Sequence, residues 1–248
     1  MPEQNLSIHG VRLRVAVDGD PGATPLALLN GAYSNLESWT PVMARLLERF
    51  RVIRHDWRGT GRSTGGARAD YSFPRYADDL AAILDHLAVP SAIVCGLAYG
   101  ARTAARFALR HPHRVQRLAL FDVSLDQPVD QALQREGNAK AKALRDAAGL
   151  PAVARDPAWF EHDHQKEALR SLTAHRHQPD PTGELAHLDI PTLVACGRQD
   201  VNLPEATRIA HTLPHARFEI LEMAGHGSLF SRPDLVAQLL IDFADAPG

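Results

Sequence analysis

Apolar and polar positions change period along this chain, and the changes mark out its elements. Residues 6–17 alternate about His9-Gly10, the period-two pattern of an opening β-hairpin. Residues 26–30 form a short apolar run that ends in Gly31-Ala32-Tyr33-Ser34. Thr40-Pro41 predicts a helix cap followed by proline at the first helical position, with Val42, Leu46 and Leu47 as its apolar face. Residues 51–57 predict the next strand, and Ser72 opens a helix whose Tyr76, Leu80, Ile83, Leu84 and Leu87 recur at helical spacing. Another apolar run, residues 93–97, turns at once into an Ala-rich helical pattern that stops at His111-Pro112. Residues 115–123, 190–196 and 218–223 are three further strands, and Ser231-Arg232-Pro233-Asp234 resembles a capping box before a closing helix. Strands that alternate with helices need right-handed crossovers. The expected class is therefore α/β, a mostly parallel eight-stranded sheet with helices on both faces.

The alternation lapses between residue 125 and about residue 184. That stretch is helical in pattern, rich in Ala, Lys, Arg and His, and closed by Pro179 and Pro181. It is too long for an ordinary connection and predicts a helical lid at 125–184, inserted between two parts of one core, 1–124 and 185–248. Composition changes this picture little: 45% apolar and 23% charged residues in a chain of 248 are ordinary globular values. A formal charge of −2 argues against a nucleic-acid partner. No apolar run nears the ~20 residues of a membrane helix, so no membrane partner is expected. Residues 1–10 lack the basic start and apolar core of a signal peptide, so the expected location is cytoplasmic. Cys95 and Cys196 fall in strands with a third between them, roughly 9–10 Å apart, too far for a disulfide.

Candidate chemistry gathers where the strands end. Gly96-Leu97-Ala98-Tyr99-Gly100 joins a strand to a helix through two glycines, with Ala98 at the tip. Asp56-Trp57-Arg58-Gly59-Thr60-Gly61-Arg62-Ser63 follows one strand, Gly197-Arg198-Gln199-Asp200 another, and Ala224-Gly225-His226 the last. Together these four stretches resemble the α/β-hydrolase family, over essentially the whole chain: the nucleophile elbow G-x-S-x-G, the D-x-R-G-x-G-x-S loop, the acid and the histidine, in the family's order. The resemblance implies an α/β-hydrolase fold and a small ester, lactone or acyl substrate, with no cofactor. It makes position 98 the nucleophile position, Asp200 the acid and His226 the base, with the N–H groups of Ala32 and Tyr99 as oxyanion donors. The family often has His-Gly where this chain has Asn30-Gly31.

Ala98 departs from the pattern, since it has no oxygen with which to attack. A single residue separates the chain from the full serine pattern, so the expected protein is a catalytically inactive form of a serine hydrolase. Two alternatives stay open. One is a cofactor-independent oxygenase or lyase that uses the His–Asp pair as a base; the other is a non-catalytic small-molecule receptor. Asp122, which also ends a strand beside the elbow, is a rival for the role of acid. Tyr33, Trp159, Phe160 and Phe230 are expected to touch substrate, with Trp159, Phe160, Leu169 and Leu172 as the underside of the lid. His162-x-His164 and His175-x-His177 invite a metal reading, but no cysteine or close carboxylate pair completes a site, so no metal is expected.

Overall fold

A computed structural model describes residues 3–125, 130–160 and 179–246. The opening hairpin forms as β1 (Gln4–Ile8) and β2 (Val11–Asp18), antiparallel, with Leu6 opposite Leu13. Then come β3 (Thr24–Leu29), β4 (Phe50–His55), β5 (Ala92–Leu97), β6 (Val115–Phe121), β7 (Thr192–Gly197) and β8 (Ala216–Leu221). One sheet holds all eight in the order β1-β2-β4-β3-β5-β6-β7-β8, and every pairing from β4 to β8 is parallel. All six residues of β5 and of β7 are buried, which is why interior parallel strands read as unbroken apolar runs.

Successive side chains along a strand face opposite ways, and each face of the sheet has its own helices. Ala27, Leu29 and Val94 pack with α2 (Phe73–His86), α3 (Tyr99–Arg110) and the helix Leu203–Thr212. Leu26, Leu28, Ile93 and Cys95 pack on the other side with α1 (Thr40–Leu46) and the closing helix Pro233–Asp245. Cys95 and Cys196 are both buried and free, on β5 and β7, with β6 between them. Among the described residues no helix is long and apolar enough to cross a membrane.

Two helix starts differ from the pattern read in the sequence. Thr40 is not the cap of α1: a 3-10 turn, Leu36–Trp39, precedes it, and Asn35 caps that turn by accepting the Glu37 N–H at 3.0 Å. Thr40 instead donates its hydroxyl back to Glu37 O at 2.7 Å, and Pro41 lies one residue inside the helix. At the closing helix Ser231 makes no cap. Arg232 takes that position without a side-chain capping bond; its guanidinium engages Asp234 at 2.8 Å and donates to Glu222 O at 2.9 Å. Ser72 does cap α2, accepting the Arg75 N–H.

The loop after β4 is a brace. The Asp56 carboxylate accepts the N–H groups of Leu36 and Arg62, each at 2.8 Å, tying the end of β4 to the turn that precedes α1. A Cβ at Gly61 would lie 2.2 Å from that carboxylate, so only glycine fits there. The Arg58 guanidinium, fully buried, donates to both oxygens of Asp79 on α2 at 2.7 and 2.8 Å. The charged motif therefore fastens strand ends together and lets the neighbouring loops hold their shape.

After β6 the sheet pattern gives way to α4 (Gln131–Ala147), capped by Asp130, and a 3-10 turn, Pro157–Phe160. The short helix Thr182–Leu185 follows before β7.

Candidate active site

β3 and β5 are neighbours, yet the chain leaves β3 toward α1 on one face and leaves β5 toward α3 on the other. A crevice opens where connections diverge in this way, at the carboxyl ends of the strands. A cavity of about 620 Å³ lies there, lined by Ala32, Tyr33, Ala98, Tyr99, Phe160, His226 and Phe230 among others.

Ala98 stands at the tip of the strand–helix corner with φ 51 and ψ −104, a conformation that costs a non-glycine residue of order 1–3 kcal/mol. The two glycines make the corner possible. A Cβ on Gly96 would come within 2.3 Å of Gly100 O, and one on Gly100 within 2.1 Å of Leu29 O, both rigid backbone atoms. The Ala98 N–H is spent on Phe121 O at 2.8 Å, and Ala98 O accepts from Ala101 N–H at 3.0 Å, so the tip is fixed from both sides. Tyr33, Asp122 and Met223 share the left-handed backbone, at φ 59, φ 50 and φ 58, so the loops after β3, β6 and β8 carry such strain as well.

His226 follows β8 between Gly225 and Gly227. Gly225 admits Asn138 of α4, whose Oδ1 would lie 2.2 Å from a Cβ there, and Gly227 takes φ +79. The His226 Nδ1 lies 3.0 Å from Asp200 Oδ2 and 3.1 Å from Oδ1, leaving Nε2 for the cavity that His226 lines. Asp200 is itself held by the Asn202 N–H, which donates to its Oδ1 at 2.9 Å. Burial opposes the charged form of His226, but the hydrogen bond and charge of Asp200, with the charge of Asp122, hold its pKa above the usual 6.5.

Asp122 does not bond to the histidine. Its carboxylate accepts Ser228 N–H at 2.6 Å and Gly197 N–H at 3.2 Å, while its carbonyl accepts from Asn202 Nδ2 at 3.0 Å. Complete burial and the nearby Asp200 push its carboxyl up to about 7, against the pull of His226 and the Ser228 bond. Asp122, Cys196 and Asp200 bring ligand atoms within 4.8 Å of one another, but the two carboxylates already serve His226 and backbone N–H groups. His162, His164, His175, His177, Leu169 and Leu172 lie outside the described residues.

Of the expected substrate contacts, Tyr33, Phe160 and Phe230 line the cavity, and the Phe160 and Phe230 rings meet at 5.5 Å. Trp159 corrects the expectation. It is buried one layer back, stacked on Phe230 at 5.9 Å, and its carbonyl accepts the Asn35 N–H at 2.9 Å. A 3-10 turn sets successive side chains roughly a third of a circle apart, so neighbours in sequence do not share a face. Tyr99 borders the cavity, while its ring packs into a core cluster with Phe73 at 4.7 Å and Tyr76 at 6.1 Å. Asn30 ties its amide to His55 O at 3.0 Å and so is engaged with β4. Sequence reasoning missed α4 as a cavity wall: Gln134, Asn138, Lys142 and Arg145 lie in steps of three and four on the face that lines it. Their spacing was readable, but not the direction in which the helix would face.

The profile of a family described as the alpha/beta hydrolase fold matches residues 24–184. A 2-hydroxy-6-oxononadienedioate/2-hydroxy-6-oxononatrienedioate hydrolase from Paraburkholderia phymatum is 30% identical, with 96% of this chain and 93% of that protein covered. The 3-oxoadipate enol-lactonase 2 of Acinetobacter baylyi is 26% identical, with 93% and 92% covered. Among solved structures, the enol-lactonase from Burkholderia xenovorans LB400 matches with a TM-score of 0.82 at 26% identity, over 98% of this chain and 100% of that one.

Proposed function

The chain belongs to the α/β-hydrolase fold family, and from that premise we propose that its cavity is the active site of a serine-type hydrolase of a small carboxylic ester or lactone. In this reading alanine occupies the nucleophile position, and the chain as it stands binds substrate without forming an acyl-enzyme. The observation that carries the reading is the His226–Asp200 pair, 3.0 Å apart, on the same cavity as the strained tip at Ala98. With serine at position 98, His226 Nε2 takes the hydroxyl proton as Oγ attacks the carbonyl carbon. The carbonyl oxygen becomes an oxyanion between the N–H groups of Ala32 and Tyr99. Collapse breaks the ester bond, the leaving alcohol takes the proton from His226, and the acyl group stays on Oγ. Water deprotonated by His226 then attacks the acyl carbon, the acyl–Oγ bond breaks as Oγ takes that proton from His226, and the acid is released. Asp200 keeps Nδ1 protonated and stabilises the imidazolium throughout.

The same reading makes residues 125–184 a lid over a core of 1–124 and 185–248, and the protein a cytoplasmic enzyme that needs no cofactor. The test compares the chain as given with Ala98→Ser on p-nitrophenyl acetate and a γ-lactone, and by intact mass after a fluorophosphonate probe. Esterase activity and a stoichiometric adduct should appear with serine alone, since losing the nucleophile costs roughly 10⁶-fold. Ala98 beside an intact His–Asp pair favours one second reading, in which His226 abstracts an acidic substrate proton with no covalent step. Turnover of a C–H acid by the alanine form, with no ester cleaved by the serine form, would establish that reading instead. Binding without turnover in both forms would make the protein a receptor.

A further inference from the structure

One wall of the cavity carries charge that the hydrolytic steps do not use. A helix laid on a domain ordinarily turns its apolar side inward. In α4 the polar residues Gln134, Asn138 and Arg145 line the cavity, while Leu133 and Leu144 are 53% and 41% exposed. Among the described residues, Arg135, Lys142, Arg145 and Arg155 line the cavity with one carboxylate, Asp146, which Lys142 takes at 2.6 Å. The whole chain has a formal charge of −2, so this excess among the described lining residues is not a general property of the sequence.

Two of the arginines are well placed to hold an anion. The Arg155 guanidinium lies 4.6 Å from the Phe160 ring centre and 5.1 Å from that of Phe230, and both rings line the cavity with His226. Aromatic contacts of this kind orient the guanidinium while leaving its N–H edges available to a planar anion. Arg145 donates one N–H to Met223 O at 2.7 Å and keeps further donors on the same wall. Among the described residues no carboxylate forms an ion pair with Arg145 or Arg155. Burial holds the Arg145 guanidinium below its usual pKa, with the pull of Asp146 partly offset by the neighbouring Arg232.

We propose that the cavity takes an acyl substrate bearing a second, ionised carboxylate away from the scissile carbonyl, held by Arg155 and Arg145. The acyl half of this statement rests on the hydrolytic reading; the anion half rests on the cationic wall alone. A bidentate guanidinium–carboxylate contact specifies a planar acid at a set distance from the acyl carbon, whereas a neutral chain of equal length leaves the arginines uncompensated.

Two measurements separate the halves. In the first, the chain as given is titrated calorimetrically with glutarate and with the neutral dimethyl glutarate. Glutarate should bind, and the diester should bind at least tenfold more weakly. Arg155→Gln and Arg145→Gln should each weaken glutarate by about tenfold, the scale of a charge-assisted hydrogen bond. Raising the salt to 0.5 M should weaken glutarate and leave the diester alone. No binding of glutarate, or equal binding in both variants with their folded circular-dichroism signal intact, would overturn the proposal. In the second, Ala98→Ser is assayed on p-nitrophenyl hydrogen glutarate and p-nitrophenyl valerate, which match in length. The acid should be preferred about tenfold or more in kcat/KM, chiefly through KM, and Arg155→Gln should collapse that ratio. A preference for the neutral ester, or a ratio unmoved by both substitutions, counts against the proposal. Arginine-dependent glutarate binding with no ester cleaved would sink the hydrolytic reading and keep the anion site; cleavage of valerate with no glutarate binding would do the reverse.

Discussion

Burial draws the His226 imidazole toward neutrality, yet the hydrogen bond and charge of Asp200, with the charge of Asp122 behind, hold its pKa above 6.5. A general base must be neutral to accept a proton, so in Ala98→Ser the fall of kcat/KM on acidification should have its midpoint above 6.5. Removing the Asp122 charge by Asp122→Asn should move that midpoint to lower pH; an unmoved midpoint would mean the two groups do not interact. The same substitution has a consequence for folding. Asp122 holds its proton more tightly when folded, with a carboxyl raised from 3.8 to about 7, chiefly by burial. Its contribution to stability is therefore full below about 3.8 and is lost as pH rises through about 7. Asp122→Asn should flatten that slope in denaturant titrations across this range. In the proposed hydrolytic mechanism Asp200 has the different duty of fixing the tautomer. In the serine background Asp200→Asn should cost about 10⁴-fold in turnover, and Asp122→Asn far less. The reverse ranking would transfer the acid's role to Asp122.

Between elements, the contacts that shape the site are backbone approaches and one buried ion pair. Gly96 and Gly100 let β5, α3 and the end of β3 close to within a distance no Cβ tolerates, and this closeness brings the Ala32 and Tyr99 turns to one crevice. Arg58 and Asp79 lock the loop after β4 onto α2, with side-chain exposures of 0% and 2%. Breaking a buried pair leaves a desolvated charge, so Asp79→Ala should lower the unfolding free energy by about 3–5 kcal/mol in urea titrations. A loss below about 1 kcal/mol would show that water reaches Arg58 in the folded state. His9, whose Nδ1 lies 2.9 Å from Asp79, would lose its partner in the same variant.

At the scale of the molecule, the cavity is bounded on one side by the strand ends and on the other by the segment after β6. Phe160 and Trp159 are adjacent in sequence and should respond differently to truncation. Phe160 lines the cavity, so Phe160→Ala in the serine background should change the preferred acyl length, with unfolding altered by less than about 1–2 kcal/mol. Trp159 is buried against Phe230 and braces the Asn35 turn, so Trp159→Ala should cost about 3 kcal/mol or more. Equal effects of the two on stability would place both rings in the core. Assays of chain-length preference alongside chemical denaturation of both variants decide the matter.

Local pattern by itself determined the sequence of strands and helices, because period-two and period-3.6 burial leave their marks on neighbouring residues. It also marked the elbow, because glycines at close approaches are local signatures, while the resemblance to the α/β-hydrolase family singled out Asp200 and His226 among the polar residues at strand ends. The closure of His226 on Asp200 and not on Asp122 was decided by tertiary structure, since both acids end strands beside the elbow. The register of β6 and β7 and the turn at Asn202 aim only Asp200 at the imidazole. The same holds for Trp159, whose turn rotates it behind Phe230, for Thr40, which a preceding 3-10 turn displaces from the cap, and for Ser231, whose place as cap Arg232 takes. The cationic wall was written in α4 as polar residues at helical spacing. Spacing defines a face, however, and only packing against the loops after β7 and β8, where Gly137 meets Gln199 O and Asn138 meets Gly225, turns that face toward the cavity.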